Sequence, residues 1–310
     1  MLREAACTKV EADLVRSQWW FAEMRPYAKA LAGLPPSADP PVRLLSTEKN
    51  RHGRTSFVAP HRIPPRLPEA PLLRVVDPAK EEPVYAVSPS LYLLMRAPLL
   101  GDVALARMVS DLCGSYVYRP DQNGEIARRP RSLATVEGLR RELLDLKGEH
   151  GAGRAISVLG FSASGAASPM ETAVALVMCA PRAMGGRAFP APHLNEPVSL
   201  DPDERKLLGR SAMRFDFFWP EARTAVEYDS ARFHNNEQQD ELDKLRREVA
   251  ANHGVELMSL TRSVLRDPVR LDLFMEQVAR RLDVGFDWSE RHLAARRSLR
   301  NQVLCTHLVW

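Results

Sequence analysis

Arg214-Phe-Asp-Phe-Phe-Trp-Pro-Glu-Ala-Arg-Thr-Ala-Val-Glu-Tyr-Asp229 is the stretch on which the reading of this chain turns. Phe215, Phe217 and Trp219 fall on alternate positions, Pro220-Glu221 supplies turn chemistry, and residues 224–228 resume a β-prone run, so the spacing predicts a β-hairpin. Side chains two apart share a strand face, which puts Glu227 beside Asp229, and pairing across the turn brings Asp216 toward both. Carboxylates that converge without a cation repel one another and take up protons. A hard, oxygen-loving ion such as Mg²⁺ or Mn²⁺ removes that repulsion, polarises a phosphoryl oxygen and lowers the pKa of bound water. The same spacing also describes a solvated strand edge with ordinary acids, because Asp-x(n)-Glu-x-Asp is a loose pattern.

The residues downstream narrow the reading. Ser230-Ala-Arg-Phe-His234 leads into a charged helical stretch at residues 236–252, followed by Gly254 and the apolar run at residues 255–260. The order is strand, strand, helix, strand, with a crossover that suits parallel pairing. In that order and spacing, over roughly residues 168–282, the chain resembles the PD-(D/E)XK nuclease superfamily. Within it the likeness is to the branch related to very-short-patch-repair endonucleases and to bacterial proteins with a carboxy-terminal endonuclease-like domain. Asp216 matches the first acid of the pattern, Glu227 and Asp229 the Glu-x-Asp, and His234 the nearby histidine. Asp243, Arg246 and Gly254 match the helix signature, and Glu171 matches the acid of the first core helix.

The resemblance implies an α/β protein whose carboxy-terminal part is a restriction-endonuclease-like core, a mixed sheet flanked by helices, behind a smaller α+β amino-terminal module. It implies metal-dependent hydrolysis of a DNA phosphodiester, in DNA repair or phage defence. Asp216 and Glu227 are then the Mg²⁺ or Mn²⁺ ligands, completed by Asp229 or the Tyr228 carbonyl, with Glu171 acting through water and His234 as acid or base. The better-known enzymes carry lysine where this chain has Asp229, which leaves Lys244 or Arg246 to supply that cation. Lys244, Arg246 and Arg214 are also the candidate DNA contacts. The alternative is a non-catalytic DNA-binding or regulatory protein that keeps the nuclease fold, in a toxin-antitoxin or defence setting.

Each of these residues has a structural role open to it as well. Ser168-Pro169-Met170-Glu171 reads as a capping box, with Ser168 as N-cap, Pro169 at the first helical position and Glu171 reaching back. Asp243 and Arg246 stand three apart on a helix, the spacing of an ion pair. Arg214 and Arg223 flank the acids and neutralise them, and His234 suits a surface loop. A structure in which Asp216 and Glu227 point apart, or in which an arginine sits on either, therefore argues against a catalytic metal.

The 310 residues are 45% hydrophobic and 26% charged, enough for two cores. Cys7, Cys113, Cys179 and Cys305 show no paired spacing, which points away from a zinc site or a disulfide framework and toward a reducing, cytoplasmic setting. No apolar run has the length of a membrane span and no signal-peptide core opens the sequence, so no membrane partner is expected. The net charge of +4 is compatible with nucleic acid, and basic clusters lie at Arg128-Arg129, Arg140-Arg141 and residues 291–300. Toward the amino end, residues 5–34 read as helical, with Trp19, Trp20 and Phe21 as anchors, and residues 35–89 as a proline-punctuated β-rich module. Helices are expected at residues 88–95, 102–113 and 133–150, and small residues at 151–168 mark a junction. The expected division is an amino-terminal module at 1–150, an endonuclease-like domain at 160–290 and a basic tail at 291–310.

Overall fold

Local sequence chemistry fixes most helix starts in this protein. The computed structural model describes residues 64–75, 84–119, 125–229 and 237–304, together with strands at 7–10, 42–46 and 58–62. It is a mixed α/β chain of helices and small sheets. The backbone divides into one unit of Met1–Leu105, Val117–Arg129 and Leu133–Gly160, and another of Ala106–Tyr116, Pro130–Ser132 and Phe161–Trp310. Among the described residues no helix is long and apolar enough to cross a membrane.

In the first unit, β1 (Cys7–Val10), β4 (Leu72–Val75) and β5 (Val84–Val87) form an antiparallel sheet, while β2 (Val42–Ser46) and β3 (Val58–Arg62) pair in parallel. β6 (Tyr116–Arg119) and β7 (Glu125–Arg128) make a further two-stranded sheet. The helix expected at residues 5–34 is thus corrected at its start. Cys-Thr-Lys-Val holds a β-branched pair and lies against the β-prone Leu72–Val75, so tertiary pairing overrides a weak helical pattern. Trp19, Trp20 and Phe21 lie outside the described residues. Ser88 caps α1 (Pro89–Arg96), accepting the Leu91 N–H, and Thr135 caps α3 (Val136–Asp145), which falls inside the longer helix expected at 133–150. With α4 (Ala152–Leu159), these helices bury Leu91, Leu93, Leu94, Leu139, Leu143, Ala155 and Val158.

The second unit takes the end of α2 (Asp102–Cys113) and is organised around α5 (Pro169–Cys179), whose residues from Glu171 to Met178 are all buried. An all-round apolar helix of that kind belongs inside a core. Beside it in sequence come a short 3₁₀ turn (Arg182–Met184), β8 (Pro197–Ser199), α6 (Pro202–Leu208) with a complete Asp201/Glu204 capping box, and β9 (Ala212–Arg214). β10 (Phe217–Trp219) and β11 (Thr224–Asp229) form the expected hairpin, with Phe217 opposite Val226 and Trp219 opposite Thr224. The chain then runs through α7 (Glu237–Asn252) to β12 (Glu256–Thr261), which pairs in parallel with β11 from Thr224↔Glu256 to Asp229↔Thr261. Gly254, at φ 70°, ends α7 in the left-handed conformation that a side chain resists, and the Val255 N–H bonds back to the Ala250 carbonyl. Leu200, Leu208, Met213, Phe215, Ala225, Val249, Ala250 and Val255 close the core between these elements. The segment continues through α8 (Arg262–Arg266), α9 (Pro268–Arg281) and α10 (Glu290–Leu304). The basic residues from 291 onward are thus helical to Leu304, and Arg296 within them is buried.

Candidate functional site

Three carboxylates from separate parts of the second unit approach one another near the start of α5 and the hairpin. Glu171 is 8% exposed and saturated with donors. Its Oε2 accepts the Ala167 N–H at 2.7 Å and the Asn195 amide at 2.6 Å, and its Oε1 accepts the Ser168 hydroxyl at 2.9 Å. The Glu171 N–H in turn donates to Ser168 Oγ at 3.2 Å, so the expected cap is present, with the glutamate reaching one residue beyond the N-cap. Asn195 is held by its own N–H on the Phe215 carbonyl at 3.0 Å, next to a bridge between His193 and Phe218 that extends the hairpin edge. It adopts φ 54°, a conformation asparagine tolerates better than most residues.

Asp216 precedes β10 in a bend, and its Oδ2 accepts the Tyr228 N–H at 2.8 Å across the hairpin. Among the described residues no cation pairs with it. Burial, then the charge of Glu171, push its carboxyl from 3.8 up to about 7; Glu227 adds to the rise, and the Tyr228 N–H and Arg246 oppose it. A half-buried acid facing like charges in this way is a marker of functional sites as well as of strained ion networks.

Glu227 lies on β11 and is engaged differently. Arg246 of α7 donates to its Oε1, and the two side chains are 19% and 24% exposed, arginine first. Burial raises the Glu227 carboxyl above the ordinary glutamate value, and Arg246 works against that rise. The same guanidinium donates to the Arg214 carbonyl at 3.1 Å. This is an arginine seated on one of the two central acids, the arrangement that counts against a preformed two-carboxylate metal cradle. Among the described residues no group of three or more His, Cys, Asp or Glu side chains is arranged to hold a metal ion.

The other expected residues are placed as follows. Asp229 ends β11 opposite Thr261, the N-cap of α8, and its charge bears on the neighbouring Tyr228. Asp243 stands one turn before Arg246 and acts on Glu227 through its charge. Lys244 is exposed on α7. Arg214 donates to the Asn195 carbonyl at 2.5 Å and so ties the hairpin entry to the segment that holds Glu171. His234 lies outside the described residues. The structure therefore brings Glu171, Asp216 and Glu227 together and adds two partners that the sequence did not single out in these roles. Asn195 carries no periodic or motif signal, and Arg246 as the counter-ion of Glu227 depends on how α7 lies across the hairpin.

The donor set around Asp216, all oxygen and partly desolvated, has the chemistry of a hard divalent cation rather than of zinc or a soft metal. The Arg246 guanidinium already pairs with Glu227, one of the acids such an ion would need.

Two uncharacterised proteins of Mycobacterium tuberculosis, from strains CDC 1551 / Oshkosh and ATCC 25618 / H37Rv, are each 29% identical to this chain over 168 residues. The match covers 50% of this chain and 56% of theirs, so the chain spans little more than half the length of these curated relatives. No family model matches the chain, and no solved structure does.

Proposed function

We propose that the second unit is a metal-dependent phosphodiesterase domain acting on DNA, with a restriction-endonuclease-like core. The observation that carries the proposal is Asp216, a half-buried carboxyl under the charge of Glu171 and Glu227 with the Tyr228 N–H as its donor. The antiparallel hairpin followed by a helical crossover to a parallel strand supports the same reading. So does the position of Glu171 at the head of the buried stretch of α5, Glu171 to Met178. Asp216 and Glu227 would hold Mg²⁺ or Mn²⁺, with Asp229 or the Tyr228 carbonyl as a further oxygen. The ion, when bound, supplies polarisation of a phosphoryl oxygen and a water of lowered pKa. The chain's own part is definite: Asp216 must give up its proton, Glu171 must stay fixed by Asn195 and the helix cap, and Arg246 must leave Glu227. Once displaced, Arg246 keeps a positive charge at the site, in place of the lysine that Asp229 replaces.

The Arg246–Glu227 pair also favours a second reading, a DNA-binding protein that keeps the fold without the chemistry. Plasmid nicking by the full chain separates the two. Mg²⁺-dependent nicking that is lost in Asp216→Asn and retained in Glu248→Ala, an exposed residue of α7, supports the enzyme. Retention of DNA in a gel shift with no nicking at any Mg²⁺ concentration supports the binding protein.

A further inference from the structure

Acids that hold a metal for phosphodiester hydrolysis also repel the strand they act on, so such a site needs cations along its rim. One rim of the acid cluster here is α7, which carries Lys244 and Arg246. The other begins where the parallel strands end. β11 and β12 stay in register to Asp229↔Thr261, and the chain passes from Thr261 directly into α8 at Arg262. Side chains alternate along β11, so Tyr228 projects from the face opposite Glu227, away from α7, whose Arg246 lies on Glu227.

Arg262 and Arg266 stand one turn apart on α8, the spacing that puts two side chains on one helix face, and both are exposed. The Thr261 hydroxyl accepts the Val264 N–H at 3.3 Å, which fixes the start of α8 on the strand end. At the other end of α8, Arg300 of α10 donates from Nη1 to the Arg266 carbonyl at 2.9 Å and brings a third guanidinium to the same rim. Burial raises the Tyr228 phenol above its ordinary value, and the charges of Arg262 and Arg266 each pull it back more than Asp229 adds. Both guanidinium groups thus act on the residue whose N–H holds Asp216.

Structural employment does not account for the pair. Among the described residues, neither Arg262 nor Arg266 has a carboxylate partner or a side-chain hydrogen bond. Other arginines of this unit are paired, Arg280 with Glu276 at 2.9 Å and Arg281 with Glu256. The carboxylate next in sequence, Asp267, is engaged as the cap of α9, where it accepts the Val269 and Arg270 N–H groups at 2.9 and 3.1 Å. An exposed guanidinium offers phosphate oxygens a planar fork of donors.

We propose, resting on the reading of the second unit as one that acts on DNA, that Arg262 and Arg266 form a phosphate-binding rim for the DNA backbone beside Asp216. They hold phosphates next to the one attacked, touch no reacting atom and read no base.

The test follows binding of a labelled DNA duplex in EDTA by fluorescence anisotropy over a series of salt concentrations. It compares the full-length wild type, Arg262→Gln/Arg266→Gln, and the charge-keeping Arg262→Lys/Arg266→Lys. Arg280→Gln/Arg281→Gln is the control, removing the same charge at the far end of α9, where Arg281 meets the first residue of β12. Loss of two phosphate contacts should flatten the slope of log K against log salt by about 1.8, making the loss of affinity about 10-fold greater at about 50 mM than at about 200 mM salt. The loss should be equal on two duplexes of unrelated sequence, the lysine variant should recover most of the slope, and the control should follow the wild type. A glutamine variant that binds with the wild-type affinity and slope, or loses no more than the control, overturns the proposal; with Mg²⁺-dependent nicking intact, the nuclease reading still stands. A loss confined to one sequence overturns backbone contact in favour of base reading. A wild type that neither binds nor nicks DNA overturns both readings, whereas rim-dependent binding without nicking supports the rim and removes the enzyme.

Discussion

Replacing Asp216 by asparagine removes one ionisable proton while keeping an oxygen for the Tyr228 N–H, and its effect on stability is expected to reverse the usual direction for a buried polar residue. The folded carboxyl titrates near 7 and the unfolded one near 3.8. Between those values the folded chain holds a proton that the unfolded chain has released, so wild-type stability falls as pH rises through the window, and the penalty is complete above the folded value. At about 1.36 kcal/mol per pH unit, the full penalty is about 4 kcal/mol. At about pH 5 only about 1.5 kcal/mol of it is present, so about 2.5 kcal/mol separates that pH from about pH 8. Urea unfolding at the two pH values should therefore show Asp216→Asn gaining on the wild type by about 2.5 kcal/mol as pH rises. A difference between variant and wild type that is the same at both pH values would refute the reasoning, because Asp216 would then titrate as an ordinary exposed acid.

Arg246→Gln leaves the half-buried Glu227 carboxylate without its partner, and should cost about 1–3 kcal/mol at about pH 8, with a smaller cost at lower pH because burial raises the Glu227 carboxyl and favours its protonated form. The same urea series checks it. Glu171→Ala strips the acceptor from the Ala167 N–H, the Ser168 hydroxyl and the Asn195 amide, and a loss of about 1–3 kcal/mol is expected in thermal unfolding. Removing that charge should also lower the Asp216 pKa, readable by NMR of its carboxyl carbon. Gly186→Ala places a methyl 1.9 Å from the Ala180 carbonyl oxygen and should abolish soluble expression or destabilise severely. Gly153→Ala, with nothing within 4 Å in α4, should be neutral or stabilising by about 0.5–1 kcal/mol.

The parts of the fold that were legible in the sequence are those set by short-range chemistry. Alternation of Phe217 and Trp219 around a Pro220 turn is enough to specify the β10–β11 hairpin. Gly254 alone marks the end of α7, and Ser168-Pro169 marks the start of α5. What escaped the sequence depends on long-range geometry. Asn195 reaches Glu171 only because the His193–Asn195 segment is held on the hairpin edge, and Arg246 meets Glu227 across 19 positions of chain. The segment at Cys7–Val10 is strand because Leu72–Val75 pairs with it, a partner more than 60 residues away that no local pattern reveals. The buried ion cluster of Arg187, Asp272 and Arg296 is of the same kind, since nothing about an isolated arginine near a pair of glycines announces burial.

The central claim is that Asp216 and Glu227 together bind a hard divalent cation once Arg246 moves aside. Calorimetric titration of Mg²⁺ into the wild type and Asp216→Asn at about pH 8, where Asp216 is ionised, tests it most directly. Saturable binding to one site in the wild type, absent from Asp216→Asn and tightened in Arg246→Gln, is the expected result. A wild type that takes up no Mg²⁺ at millimolar concentration, or an Asp216→Asn variant that binds as well as the wild type, contradicts it.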